Sequence, residues 1–221
     1  QIPTSLVCRE IKRKGIDVAL TGDGGDEIFG GYVRHFKGSS AWKKIKLIPY
    51  PIRLRIGKLL KTFPASKLAN INWSSQKNNF FQKVIRTGTR LENIKNSDDL
   101  YRSLLIEEVE DSIFTKSFIN KLAESSYKNF EVLDDFPNSK VNHEIARMLY
   151  WDSITYLPDD ILVKVDRASM AYSLETRAPF LDKNVVETAW RIPTKMKVNG
   201  GQGKLILKKL LCKYLPQNYV Y

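Results

Sequence analysis

Five of the chain's twelve glycines, Gly22, Gly24, Gly25, Gly30 and Gly31, fall within ten positions, with Asp23, Asp26 and Glu27 interleaved among them. Glycine lets a backbone approach a ligand closely or adopt φ > 0. The run before the loop, IDVAL at 16–20, reads as a short buried parallel strand. The loop is therefore expected at the carboxyl edge of a sheet, where open α/β folds bind ligands. A helix beginning near Asp26 would aim free N–H groups and its positive dipole end at the same place. Three carboxylates beside a phosphate repel it unless a divalent cation lies between, which points to Mg²⁺ and its hard oxygen ligands. The plainer alternative is a glycine-rich turn whose acids cap the next helix, although capping needs one acid and not three. The loop is neither G-x-x-x-x-G-K-[ST] nor G-x-G-x-x-G. The GGQGK at 200–204 imitates the former, but Val198 holds the first glycine position and Leu205 follows the lysine.

The elements that must position this loop follow from the apolar spacing. Residues 4–14 predict an amphipathic helix, with Leu6, Val7 and Ile11 on one side and Gly15 as its stop. Helix, glycine, strand and glycine-rich turn make the rhythm of a doubly wound sheet. After residue 40 strands are expected to stop. Helices are expected around 41–61, 98–109, 112–129, 141–157 and 159–173, with a long Asn-, Ser- and Thr-rich loop at 62–97. Pro158, Asp159 and Asp160 read as a helix start, and Asp182 as the cap of a helix at 183–190. A late helix carries Ile206, Leu210, Leu211 and Tyr214 on one face. One strand followed by helices is not a complete α/β domain, so the rest of the sheet is expected from outside these residues.

With 221 residues the chain can bury roughly 70–75% of its unfolded surface without a staple. At 43% hydrophobic and 27% charged it is of ordinary globular composition, which excludes collagen-like and disordered classes. No apolar run approaches the roughly 18 residues of a membrane span. Cys8 and Cys212 cannot make a disulfide framework, and with His35 and His143 they are too few for an ordinary zinc site. Both cysteines read as inert core residues, and a reduced cytoplasmic compartment is the default. The sequence begins at Gln1, its first methionine is Met148, and it shows no signal-peptide pattern. It reads as an internal piece of something longer.

The net charge of +12 is localised. Residues 41–95 hold 13 Lys and Arg against one acid, Glu92, while the flanks are close to neutral. Such a segment is a solvated helical face, or else a patch for nucleic acid, an anionic membrane surface or a phosphate-rich substrate. No RNP, zinc-finger or helix-turn-helix signature accompanies it, which disfavours nucleic acid.

TGDGGDEIFGGY closely resembles the S-G-D/E-G-x-D-E-x-F-G-G-Y signature of the glutamine-dependent asparagine synthetases. YLPDDILVKVDRASMAYSLETRAPFLD, residues 156–182, is similar to the long helical signature of that family. GQGKLILKKLL resembles its G-x-x-K segment, and QIPT the stretch just before the glycine loop. Together these cover about a quarter of the chain in the right order. The stretch 41–140 matches nothing specific, though its length suits the bacterial type. The resemblance implies an α/β, adenine-nucleotide α-hydrolase-like (ATP pyrophosphatase) fold, incomplete here, with a large helical remainder. Residues 1–40 would be the end of the nucleotide-binding core, 41–140 a basic helical insertion, and 141–221 the helical part of the synthetase domain. The family's S-G-G-x-D-S loop and N-terminal glutaminase domain are absent from this sequence, so the isolated chain is not expected to bind ATP competently.

The implied reaction has two steps. The β-carboxylate of aspartate attacks the α-phosphorus of ATP, giving β-aspartyl-AMP and pyrophosphate, and ammonia derived from glutamine then displaces AMP. By resemblance Thr21 and Gly22 hold the adenylate. Asp23 orients the intermediate or assists proton removal; otherwise it stabilises the loop. Asp26 faces the amino-acid substrate or Mg²⁺, with N-capping as its alternative, while Glu27 reads as structural. Lys204 would reach the pyrophosphate as a flexible ammonium, or else is one more exposed lysine of a lysine-rich helix. Asp160 is a base or substrate ligand, or simply part of a helix start. Asp166, Arg167, Glu175 and Arg177 alternate in sign and suggest a buried ion-pair network that positions the helix, with catalysis as the alternative. ATP and Mg²⁺ are the implied cofactors, and a homodimer is compatible with the reading. Two rivals stay open. One is a related amidotransferase acting on a cell-surface polysaccharide or another carboxylate. The other is a non-catalytic basic binding module.

Overall fold

The structure, a computed structural model, describes residues 1–62, 84, 86–105, 115, 117 and 143–220. In chain order its elements begin with α1 (Ile2–Arg13), β1 (Val18–Leu20), α2 (Gly25–Phe29), α3 (Val33–Ile45), α4 (Tyr50–Thr62) and α5 (Ser97–Leu105). They continue with α6 (Glu144–Ile154), a π-helix (Leu157–Leu162), α7 (Val163–Met170), β2 (Glu175–Arg177) and a 3₁₀ turn (Pro179–Leu181). Last come α8 (Lys183–Arg191), α9 (Thr194–Lys197), α10 (Leu205–Leu211) and a 3₁₀ turn (Gln217–Tyr219). The chain divides into two compact units, residues 1–41 with 143–221, and residues 42–142. Every candidate site residue lies in the first.

In that unit α1 ends as its sequence predicts, with Gly15 at φ +77° after the last turn. Two expectations about strands are corrected. Strands do not stop after residue 40: β2 pairs in parallel with β1, Val18 opposite Glu175 and Leu20 opposite Arg177. Glu-Thr-Arg has no apolar alternation to announce a strand. Its place is set by its neighbour Leu174, fully buried in one cluster with Cys8 and Ala168, against which Ile11, Ala19 and Tyr172 pack. Nor is β1 buried, since Val18 and Leu20 are 50% and 76% exposed. Among the described residues β2 is its one neighbour in the sheet.

The expected buried ion-pair network is also corrected. Arg177 pairs with Glu175 on the surface, and Asp166 and Arg167 are exposed. The short β2 turns these charged side chains outward while its anchor, Leu174, points in.

A five-residue helix such as α2 cannot hold itself in water. Its stability comes from Ile28 and Phe29, buried with Ala189 against Phe180, Leu181, Val185, Val186, Ile206 and Leu207. Each of the two contributes about 1.5–3 kcal/mol. The helices expected at 141–157 and 159–173 are α6 and α7, joined by the π-helix. Pro158 has no N–H to continue the i−4 ladder, and the side chains of Ser153 and Thr155 bond back to the carbonyls of Leu149 and Trp151. The turn widens there, which explains the π geometry. Asp182 caps α8 as expected, its Oδ1 accepting the Asn184 N–H at 2.9 Å.

In the second unit the single helix expected at 41–61 is broken. α3 ends at Ile45 and α4 starts at Tyr50, because Pro49 disfavours helix at Ile48 before it while Pro51 is tolerated in a first turn. The loop expected at 62–97 contains helix at 86–93. Its last Asn is a cap for α5: Asn96 Oδ1 accepts the N–H groups of Asp98 and Asp99, and Asp99 Oδ2, from within the helix, accepts those of Lys95 and Asn96. Arg53 is buried, donating to the Ile94 carbonyl at 2.7 Å, with the Trp42 and Tyr50 rings 5.6 and 5.5 Å away. Part of the basic excess is thus internal and not a solvated face. The helix expected at 112–129 lies outside the described residues save for Thr115 and Ser117, as do residues 63–83 of the loop.

Candidate functional site

The site starts where β1 ends. The Thr21 N–H donates to the Arg177 carbonyl at 2.8 Å and so carries the parallel ladder one residue further. The Thr21 hydroxyl oxygen is buried and has no hydrogen-bond partner. Next to it Gly22 is exposed, with open space where a β-carbon would stand. An unsatisfied hydroxyl beside open space at a strand's carboxyl end fits a contact to a nucleotide.

Beyond the turn, α2 ends in two glycines whose N–H groups both donate to the Asp26 carbonyl at 2.9 Å. This turns the Asp26 side chain across Gly31, where it meets Lys204: Nζ lies 2.9 Å from Oδ1. Both side chains are about a third exposed, at 33% and 37%. Lys204 reaches this position from the far side of the chain because its own loop is clamped to the same helix end. Its N–H donates to the Phe29 carbonyl at 3.2 Å, and a β-carbon on Gly203 would lie 1.9 Å from the Gly30 carbonyl oxygen. Lys204 stands at the N-cap of α10, not inside a lysine-rich helix, and holds φ at +55°.

The three acids of the loop do not converge. Asp26 is taken by Lys204, and Glu27 turns inward, 2% exposed, to accept the Tyr32 hydroxyl at 2.6 Å. Asp23 is half-buried. Among the described residues no three acid, cysteine or histidine side chains are placed to hold a metal ion. The strand, the helix and the pairing lysine send the three carboxylates in different directions, with Asp26 left at the loop's surface to face a phosphate-bound cation.

A second polar group stands behind the loop, and the sequence reading missed it. Burial, then the bond to Glu27, pushes the Tyr32 phenol far above its ordinary range, so it remains a proton donor. Arg34 lies over the Tyr32 ring at 4.0 Å and the Tyr156 ring at 4.7 Å, and the two rings meet edge to face at 5.7 Å. Burial raises the Tyr156 phenol too, with the Asp160 carboxylate adding to the rise and the Arg34 guanidinium opposing it. Arg34 also pairs with Asp152 of α6 at 2.9 Å, and His35 Nε2 approaches the same carboxylate oxygen at 2.7 Å. The structure thus brings Asp26 and Lys204 together and sets Asp160 on the π-helix that follows Tyr156, whose ring Arg34 covers. It places Thr21, Gly22 and Asp23 together at the strand end, the Thr21 hydroxyl without a partner. Asp152 had one legible signal: it is an acid on the stripe of Ile145, Met148 and Leu149, where a helix buries apolar residues.

The profile of the asparagine synthase family matches residues 1–221. The putative glutamine-hydrolyzing asparagine synthetase of Mycobacterium bovis is 29% identical over 235 residues, covering 100% of this chain and 30% of its own length. Glutamine-hydrolyzing asparagine synthetase 1 of Bacillus subtilis is 28% identical, covering 98% of this chain and 31% of its own. The probable glutamine-hydrolyzing asparagine synthetase of Schizosaccharomyces pombe is 38% identical over 69 residues, 27% of this chain and 12% of its own. No solved structure matches. The chain spans about 30% of the length of the bacterial relatives it matches throughout. With a family profile matched from end to end, and the glycine loop and late lysine joined in one site, the chain belongs to the asparagine synthase family.

Proposed function

We propose that these residues are the synthetase half of a ligase that converts aspartate and ATP to asparagine, AMP and pyrophosphate, with ammonia drawn from glutamine. The observation that carries the reading is the Asp26–Lys204 pair held at the mouth of a strand-end loop whose Thr21 hydroxyl is buried and unsatisfied. Thr21 and Gly22 bind the adenylate, as part of an adenine-nucleotide α-hydrolase-like core. In the first step Lys204 leaves Asp26 for the departing pyrophosphate, where negative charge develops. Asp26, released, faces the amino-acid substrate. Asp23 and Asp160 serve the second step, orienting the intermediate and taking a proton from the attacking amine. Mg²⁺ would come with the ATP phosphates and neutralise their charge, with Asp26 as the carboxylate that would face it. Among the described residues no helix is long and apolar enough to cross a membrane; the cytoplasm is the proposed compartment.

The test is aspartate-dependent ATP–pyrophosphate exchange and asparagine formation by the native gene product. Absence of both with aspartate, together with AMP release on another carboxylate, would replace this reading by that of a related amidotransferase. The basic segment 41–95 makes an acidic sugar polymer the first alternative to try.

A further inference from the structure

Asp152 stands on a helix face it shares with Met148 and Leu149, and it is fully buried. Its Oδ2 receives both the Arg34 guanidinium and the His35 ring, while its Oδ1 is buried with no hydrogen-bond partner. A buried carboxylate is costly to desolvate, and one half-satisfied is costlier. An apolar side chain of similar size would serve packing better, so packing does not account for an acid here. What the carboxylate fixes is the place of Arg34. Held from below by Asp152, the guanidinium stays on the faces of Tyr32 and Tyr156. Those two phenols lead in opposite directions, Tyr32 to Glu27 in the glycine loop's helix and Tyr156 toward Asp160 on the π-helix.

We propose that Asp152 is a positioning residue: through Arg34 it locks the π-helix that bears Asp160 to the acidic glycine loop. The kinetic part of this proposal rests on the function proposed above; the structural part does not. Asn at 152 keeps the shape and one acceptor but loses the charge that holds Arg34. The guanidinium, already 21% exposed, would then turn to water.

The experiment compares Asp152→Asn, Tyr156→Phe, their double mutant and Arg34→Lys in the native gene product. Arg34→Lys keeps a charge for Asp152 but gives up the planar stack between the rings. We expect Asp152→Asn and Arg34→Lys each to lower kcat of aspartate-dependent ATP–pyrophosphate exchange about 10- to 100-fold, with KM for ATP within about twofold. The double mutant should be no worse than Asp152→Asn alone, since both changes undo one arrangement. Losses that multiply, or unchanged kcat in the folded Arg34→Lys variant, would overturn the proposal. A crystal structure of Asp152→Asn gives the second reading, with Arg34 expected off both ring faces. Arg34 still stacked there would refute the proposal whatever the kinetics. A wild-type protein without aspartate-dependent exchange would sink the functional reading alone, and the crystal structure would then decide this one.

Discussion

Lys204 Nζ meets Asp26 Oδ1 at 2.9 Å in the space that a side chain at residue 31 would fill. A β-carbon on Gly31 would lie 1.6 Å from that oxygen and 2.4 Å from Lys204 Cε. The glycine there is required by what crosses in front of it, not by its own backbone angles, and the pair exists because the loop leaves it room.

Gly31→Ala should therefore act on the pair directly. The methyl group displaces either the carboxylate or the lysine, and both are only about two-thirds buried, so they can move outward at modest cost. Unfolding in urea should change by about 1 kcal/mol or less, whereas adenylate formation falls about 10²-fold or more. ATP–pyrophosphate exchange checks the second figure. Wild-type exchange with a folded Gly31→Ala protein would show that the pair has no part in the first step.

Lys204 itself holds a left-handed backbone, a conformation that costs a residue with a β-carbon about 1 kcal/mol relative to glycine. Its partly exposed bond to Asp26 returns little of that, since pairs that water reaches contribute about 0–1 kcal/mol. Lys204→Gly is expected to melt no lower than the wild type and to lose adenylate formation by orders of magnitude. Lys204→Ala, which keeps the β-carbon, should lose the same activity and melt lower than Lys204→Gly. A Lys204→Gly protein markedly less stable than wild type would mean that the side chain is structural.

The sequence made the glycine loop, α1 with its glycine stop, and the Asp182 cap readable because each is a local pattern whose cause lies within a few residues. The resemblance assigns Asp26 and Lys204 to one site but not to each other; nothing in the spacing tells that a loop about 170 positions later clamps onto the end of α2. β2 was invisible for a different reason, since Glu175, Thr176 and Arg177 form a strand only because buried Leu174 delivers them to β1. Pro158, Asp159 and Asp160 spell an ordinary helix start: the proline signals a break, but not which way the ladder widens into a π-helix. Glu27 reads as structural from sequence, and it turns inward to Tyr32, a partner five residues on that no spacing rule names.

That inward turn can be tested by Tyr32→Phe. The Tyr32 hydroxyl is the partner that Glu27 is seen to have, and Glu27 is 2% exposed. Removing the donor leaves a buried carboxylate short of a hydrogen bond, a loss of about 1–3 kcal/mol. Equilibrium unfolding in urea reads it. Glu27→Gln in the Tyr32→Phe background should recover part of the loss, because a neutral amide is cheaper to bury than a charge. No difference between Tyr32→Phe and wild type would place Glu27 in contact with water.

Lys197 carries a pH dependence whose sign follows from its burial. It is 2% exposed, with its ammonium 5.0 Å from the centre of the Trp190 ring, and burial lowers its pKa from 10.5 to about 8. Below pH 8 the lysine is charged in both folded and unfolded chains, and the folded state bears the cost of the buried charge. Between about pH 8 and 10.5 the unfolded chain keeps a proton that the folded one has released, so stability rises with pH across this window. The rise is at most about 3 kcal/mol, by the difference in pKa, and less where the indole face favours the ammonium. Lys197→Met removes the titration and fills the same space with an apolar side chain. The variant is expected to exceed the wild type by about 1–3 kcal/mol at pH 7 and to lose that advantage as pH approaches 10. Urea unfolding of both proteins from pH 6.5 to 10 decides it, because other groups that titrate in this range cancel in the difference. A gap that stays constant with pH would mean that Lys197 keeps its proton in the folded state throughout.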